Sequence, residues 1–151
     1  MASNKLNFST GGTAVSLTAA TTLTESANGN KLHLLNLAGG FTTTLPASTG
    51  NGATYKFIVQ TVSTTGYIIK VANATDIFTG TAYTLSDGAA AVLGYTTGAT
   101  DDTLTLNGTT KGGVAVGDWV EFVDYAAGFF AVRALTVSSG TEATPFSATV
   151  S

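Results

Sequence analysis

The stretch GDWVEFVDYAAGFFAVRALTV, from Gly117 to Val137, indicates the fold class most directly. It contains the chain's only tryptophan and three of its eight phenylalanines. Two sets of residues alternate along its first half, Val120, Phe122 and Asp124 in one set and Trp119, Glu121 and Val123 in the other. This alternation predicts a β-strand, and the turn signal Ala126-Ala127-Gly128 predicts a hairpin with the strand that follows.

Both faces of this first strand carry apolar side chains. A strand that buries only one face alternates cleanly between apolar and polar residues. Here Trp119 and Val123 lie on the face opposite Phe122. We therefore expect that something besides the domain's own core covers the second face, and we take Trp119 and Phe129 as candidate interface residues.

Two further pairs of strand-like segments precede this stretch. Lys31–Leu37 and Phe41–Leu45 flank a glycine-containing loop, residues 38–40, of hairpin length. Thr54–Val62 and Tyr67–Ala72 are runs of β-branched and aromatic residues separated by residues 63–66. We therefore predict two more hairpins. In the first strand of the second pair, the alternation predicts that Tyr55, Phe57 and Val59 face inward.

Short strand signals continue to the end of the chain, at Ile77–Thr79, Ala82–Leu85, Thr103–Asn107 and Phe146–Val150. Eighteen glycines interrupt the chain too often for long helices, and Gly88–Leu93 is the one candidate for a short one. Many short strands with frequent turns predict a compact antiparallel β-sandwich or barrel with short hairpins and at most one short helix.

The composition limits the partners of the chain. Six basic residues against nine acidic ones give a net charge of −3, and no two basic residues are closer than fourteen positions. A chain without a basic patch is not expected to bind nucleic acid. Charged residues make up 10% of the chain against about 25% in ordinary soluble domains, which is tolerable where much of the surface contacts other subunits.

Cysteine is absent, and the N-terminus has no run of seven or more apolar residues. Disulfides and thiolate metal sites are therefore excluded, and neither a secretory signal nor a membrane-spanning segment is predicted. Residues 13–151 have the length of one domain. Residues 1–12 are polar apart from Leu6 and Phe8, and we interpret them as an extended arm whose two apolar side chains contact a partner; the alternative is a frayed terminus.

The sequence shows no motif of catalysis or of cofactor binding. His33, the only histidine, lies inside an alternating strand, and no nucleophile elbow accompanies it. Asp101 and Asp102 lack the spacing of a calcium loop, so they favour a solvated turn over a metal site. Glu121 and Asp124 fall on opposite faces of a strand and favour a hairpin surface over a glycosidase pair. We expect no enzyme activity, no cofactor and no metal.

Several motifs follow one another in a fixed order. The opening Leu17–Lys31 precedes TLPA at residues 44–47 and YKFIV at residues 55–59, and GDWVEF at residues 117–122 precedes the aromatic strand FFAV. This order resembles a small all-β structural protein of tailed-phage virions, in which a SxxGK turn stands where this chain has the longer SANGNK. The resemblance covers about Ser16 to Val137.

The resemblance implies a capsid decoration, or cement, protein. Such a protein is made in the host cytoplasm and sits as a homotrimer on the outer surface of the virion head, where its partners are its own copies and the major capsid protein. Related modules occur in tail fibres. The alternative function is therefore a tail-fibre or carbohydrate-recognition module, in which Trp119 and the tyrosines would form an aromatic platform for a sugar.

Overall fold

Two β-sheets packed against each other form the domain. A computed structural model describes residues 14–88 and 91–150. Its strands are β1 (Val15–Leu17), β2 (Thr21–Thr22), β3 (Lys31–Leu35), β4 (Phe41–Thr44), β5 (Thr54–Val59), β6 (Tyr67–Lys70), β7 (Ile77–Ser86), β8 (Val92–Thr96), β9 (Thr103–Leu106), β10 (Trp119–Ala126), β11 (Phe129–Ser138) and β12 (Phe146–Ser147), with one short helix, α1 (Glu25–Asn28). The large sheet has the order β1-β3-β5-β10-β11-β7-β8 and the small sheet β12-β9-β6-β4-β2. The predicted all-β sandwich is confirmed.

The first half of the chain winds around the core. Strands β1, β3 and β5 pair in parallel in the large sheet, while β2, β4 and β6 pair in parallel in the small sheet. Each time the chain winds once around the core, it therefore adds one strand to each of the two sheets. As a result, five of the ten strand pairings among the described residues are parallel, so the sheets are mixed and not antiparallel as predicted.

The first two predicted hairpins are wrong for this reason. Strand β3 lies in the large sheet and β4 in the small one, and β5 and β6 are divided in the same way. The glycine-containing loops connect the two sheets instead of reversing the chain within one sheet. Where the two connections meet, Gly40 has a φ of 65°, and a Cβ on it would overlap the carbonyl oxygen of Gly66. The Tyr67 hydroxyl accepts a hydrogen bond from the Leu37 N–H (2.9 Å) and donates to the carbonyl oxygen of Thr61 (2.7 Å).

The third predicted hairpin is confirmed and lies at the centre of the large sheet. Strands β10 and β11 pair antiparallel, β5 flanks β10, and β7 flanks β11. Their inward side chains form an aromatic core. Phe122 contacts Phe78 and Phe57 at ring-centroid distances of 4.8 and 6.0 Å, and both Phe122 and Phe57 are fully buried. The predicted inward set of β5, Tyr55, Phe57 and Val59, is also confirmed.

The short helix is not at the predicted place. It begins after Thr24, whose hydroxyl accepts a hydrogen bond from the Ala27 N–H, as an N-cap residue does. Of the predicted helix Gly88–Leu93, residues 92 and 93 belong to β8, and Ala89 and Ala90 lie outside the described residues. β8 pairs antiparallel with β7 and forms one edge of the large sheet.

Buried aspartates hold the connecting segments to the sheets. Asp124 accepts hydrogen bonds from the Ser48 hydroxyl (2.7 Å) and from the N–H groups of Thr49 (2.9 Å) and Gly50 (2.7 Å), all in the connection from β4 to β5. Burial by itself raises the pKa of Asp124, but these bonds together hold that pKa below its usual range. A hairpin surface was predicted for Glu121 and Asp124. That is wrong for Asp124, which points inward and is buried.

Two other aspartates act in the same way. Asp102 accepts a hydrogen bond from the Thr149 N–H (2.8 Å) and so fixes the C-terminal segment, which makes the predicted solvated turn wrong at this residue. Asp118 accepts bonds from the N–H groups of Gly113 (2.9 Å) and Val137 (3.0 Å). Here burial dominates and raises the pKa of Asp118 despite those bonds.

Candidate interaction surface

The outer face of the large sheet carries a row of apolar side chains that the described residues leave partly or largely exposed. The register places five of them side by side across adjacent strands, in the order Leu34, Ile58, Trp119, Leu135 and Tyr83. Leu135 and Tyr83 are each about half exposed, at 49% and 50%. We call these five residues the apolar row.

A second row lies beside the apolar row, at a distance of two residues on each strand. Its central members are Lys56, Glu121 and Arg133, in adjacent register on β5, β10 and β11. The Lys56 Nζ and the Glu121 Oε2 are 3.9 Å apart, and half of the Lys56 side chain is exposed. An ion pair this exposed contributes little to stability, about 0–1 kcal/mol. We call these three residues the charged row; its charges alternate in sign and remain accessible to a partner.

Trp119 is the centre of this face. It is partly buried and lines three neighbouring shallow depressions. On one side it meets Ile58 and Lys56, and on the other Arg133 and Leu135. Phe122, three residues later, points into the core. The expectation that β10 has an apolar outer face as well as an apolar inner one therefore agrees with the structure.

Phe129 lies on the same outer face but at the other end of β11. It is 38% exposed and pairs in register with Ile77, while Trp119 pairs with Leu135. Six residues of strand separate the two positions, which is about 20 Å. Phe129 contacts Tyr125, with ring centroids 6.1 Å apart. Trp119 and Phe129 thus belong to two separate apolar patches, and the predicted contacts Leu6 and Phe8 lie outside the described residues.

Strands β7 and β8 supply a part of this surface that was not predicted from the sequence. Tyr83, Leu85 and Val92 are exposed at 50%, 44% and 61% and extend the apolar area toward the edge of the sheet. The alternation of Ala82 and Thr84 with Tyr83 and Leu85 contains the necessary signal. That signal identifies two faces, but only the parallel pairing of β7 with β11 places Tyr83 beside Leu135.

The imidazole of His33 and the hydroxyl of Ser48 lie elsewhere and contact structural partners. His33 is buried, stacks on Phe57 at a centroid distance of 5.1 Å, and its Nδ1 is 3.2 Å from the Lys56 carbonyl oxygen. Burial lowers the pKa of His33. Ser48 donates to Asp124 and accepts from the Phe129 N–H (3.0 Å). The hydroxyl and the imidazole therefore belong to different hydrogen-bond networks.

Residues 14–88 and 91–150 contain neither a cluster of metal-binding side chains nor a membrane-spanning helix. Within that part of the chain, no three or more histidine, aspartate or glutamate side chains are grouped closely enough to hold a metal ion. No helix there is long and apolar enough to cross a membrane. Comparison with models of protein families, with curated protein sequences and with solved structures gave no match to this chain.

Proposed function

We propose that this chain is a bacteriophage virion structural protein, a capsid decoration protein that stabilises the head from its outer surface. It acts as a homotrimer and contacts the major capsid protein. It carries out no reaction and needs no cofactor, and neither nucleic acid nor membrane is among its partners. The observation that carries the proposal is the apolar outer face of the large sheet, centred on Trp119.

An apolar row that crosses five adjacent strands supports a role in assembly. Soluble monomers rarely expose contiguous apolar patches beyond a few hundred Å², and larger ones mark interaction surfaces. The apolar row spans five strands, which at about 4.8 Å per strand is about 24 Å across. Assembly into a lattice removes this surface from water in many copies at once, and repeated weak contacts then add up to firm attachment.

The distribution of charge supports the same role. The chain has nine acidic residues, and four of them, Asp76, Asp102, Asp118 and Asp124, are buried. Few ionised groups therefore remain to keep single copies apart in solution. A weakly charged surface favours association, because charge of one sign is what keeps protein molecules separated.

The N-terminal arm has a place in this proposal. We propose that Leu6 and Phe8 contact a neighbouring decoration or capsid subunit, since an extended chain directs residues two positions apart to the same side. Twelve extended residues reach about 40 Å, far enough to cross to a neighbouring subunit.

The competing function is a tail-fibre or carbohydrate-recognition module. What favours it is the position of Trp119 beside Glu121 and Arg133, because an aromatic ring flanked by hydrogen-bonding side chains is the usual composition of a sugar site. The two functions differ in what Trp119 contacts. A titration of the assembled protein with oligosaccharides, followed by Trp119 fluorescence, gives a saturable change for the recognition module and no change for the decoration protein.

The experiment that tests the proposal is a map of the virion. We expect density of this fold on the outer surface of the head, at positions of threefold symmetry. Density only on the tail, or no density in purified particles, would contradict the proposed function and leave the properties of the isolated chain unaffected.

A further inference from the structure

We propose that two neighbouring copies of this chain cover the outer face of the large sheet, in a trimer whose threefold axis runs parallel to β10 and β11. This inference rests on the self-association in the proposed function and specifies the surface and the contacts that produce it. In the interface, Trp119 of one copy packs against Leu135 of the next, and Glu121 of one copy pairs with Arg133 of the next.

The register of the sheet is the first argument. A rotation about an axis parallel to the strands leaves every residue at its own height along that axis. The apolar row of one copy therefore meets the apolar row of the next, and the charged row meets the charged row. With the axis in front of the seam between β10 and β11, β10 of each copy faces β11 of the next, which brings Trp119 opposite Leu135. One strand further out, Ile58 on β5 comes opposite Tyr83 on β7.

Charge complementarity is the second argument. In the same arrangement, Glu121 on β10 comes opposite Arg133 on β11 of the neighbouring copy, because these residues have the same height in the register. Lys56, on the far side of Glu121, comes opposite Thr81 and meets no like charge. An axis perpendicular to the strands that passes through the apolar row would instead place Arg133 opposite Val137 and leave its charge without a partner, which is costly.

The absence of cysteine from the chain allows a direct test. Two single-cysteine variants are prepared, Glu121→Cys and Arg133→Cys, and each is oxidised alone and in an equal mixture with the other. If the proposal is correct, the mixture gives a disulfide-linked band of two 15.2 kDa chains on a denaturing gel, and each variant alone gives little of it. The matched control is Thr22→Cys, an exposed residue on the small sheet, mixed with Arg133→Cys, which should not crosslink.

Two results would overturn the inference. One is a mixture that crosslinks no better than the separate variants, and the other is equal crosslinking by the Thr22→Cys control. Arg133→Glu provides a second readout: we expect it to weaken self-association at least about tenfold, because it brings two like charges together. The melting temperature of dilute protein should fall by no more than a few degrees, the effect of the like charge that residue 133 then presents to Glu121 within its own sheet. A chain found on virions that fails both tests would keep the proposed function and lose this interface.

Discussion

Asp124 offers the sharpest test of how the connections are held to the sheets. Its carboxylate receives hydrogen bonds from the Ser48 hydroxyl and the Gly50 N–H at Oδ1, and from the Thr49 N–H at Oδ2. Asp124→Asn keeps the size of the side chain but replaces one of these oxygens with an NH₂ group, which cannot accept. At least one charge-assisted bond is lost and its donor is left buried, for a cost of about 3 kcal/mol.

The expected loss is measurable by calorimetry or circular dichroism. At about 2–4 °C per kcal/mol for a domain of this size, the melting temperature should fall by about 6–12 °C at pH 7. Asp87→Asn is the matched control, because Asp87 is an exposed aspartate, and it should change the melting temperature little. Equal small shifts for both variants would refute the reasoning.

The pH dependence provides an independent check. The folded state holds the pKa of Asp124 below its unfolded value of about 3.9, so its contribution is complete above that value and disappears as the pH falls through the folded pKa. The gap between wild type and Asp124→Asn should be constant from pH 7 to about pH 5 and narrow below about pH 4. The lowered pKa of His33 reduces the stability of the fold as the pH falls below about 6.5. Because His33 is present in both proteins, this effect cancels in the difference between them. A gap that does not narrow would contradict the assignment.

Three further predictions concern the core, the crossing of the two connections and the arm. Phe122→Ala removes a fully buried ring and should cost about 3–5 kcal/mol in urea unfolding, whereas Trp119→Ala should mainly reduce the sedimenting mass; equal effects on both properties would contradict their placement on opposite faces. Gly40→Ala should cost more than about 1 kcal/mol, since its φ is positive and the added Cβ would overlap Gly66, whereas Gly39→Ala, with open space around it, should be nearly neutral by thermal melting. Deletion of residues 2–11 should make virions lose the protein more readily on heating while the melting temperature of the isolated domain is unchanged; unaltered retention would leave the arm without a function.

The sequence predicted which side of a strand is buried more successfully than which strands are neighbours. Alternation placed Tyr55, Phe57 and Val59 inward because burial follows the two-residue repeat of a strand. It could not show that β3 and β4 belong to different sheets, because a short glycine-containing connection can either reverse a strand or cross to the facing sheet about 10 Å away. The hairpin of β10 and β11 was predictable because its turn and both of its strands are contiguous.

For the candidate surface, too, the direction of a side chain was predictable and the pairing of the strands was not. The outward direction of Trp119 and Phe129 was predictable because apolar residues on both faces of a strand stand out, but the sequence could not show that the two lie in separate patches. Tyr83 was missed, since only the parallel pairing of β7 with β11 brings it beside Leu135. The role of Asp124 was also missed, because its donors lie more than seventy residues away in the chain, in a connection that no local pattern joins to β10.

The measurement that tests the central claim most directly is the mass of the purified chain in sedimentation equilibrium at micromolar concentration. If the outer face of the large sheet is an assembly surface, wild-type protein should sediment as a trimer of 15.2 kDa chains, and Arg133→Glu should shift the equilibrium toward the single chain. A wild-type protein that remains a 15.2 kDa monomer across this range would contradict the claim.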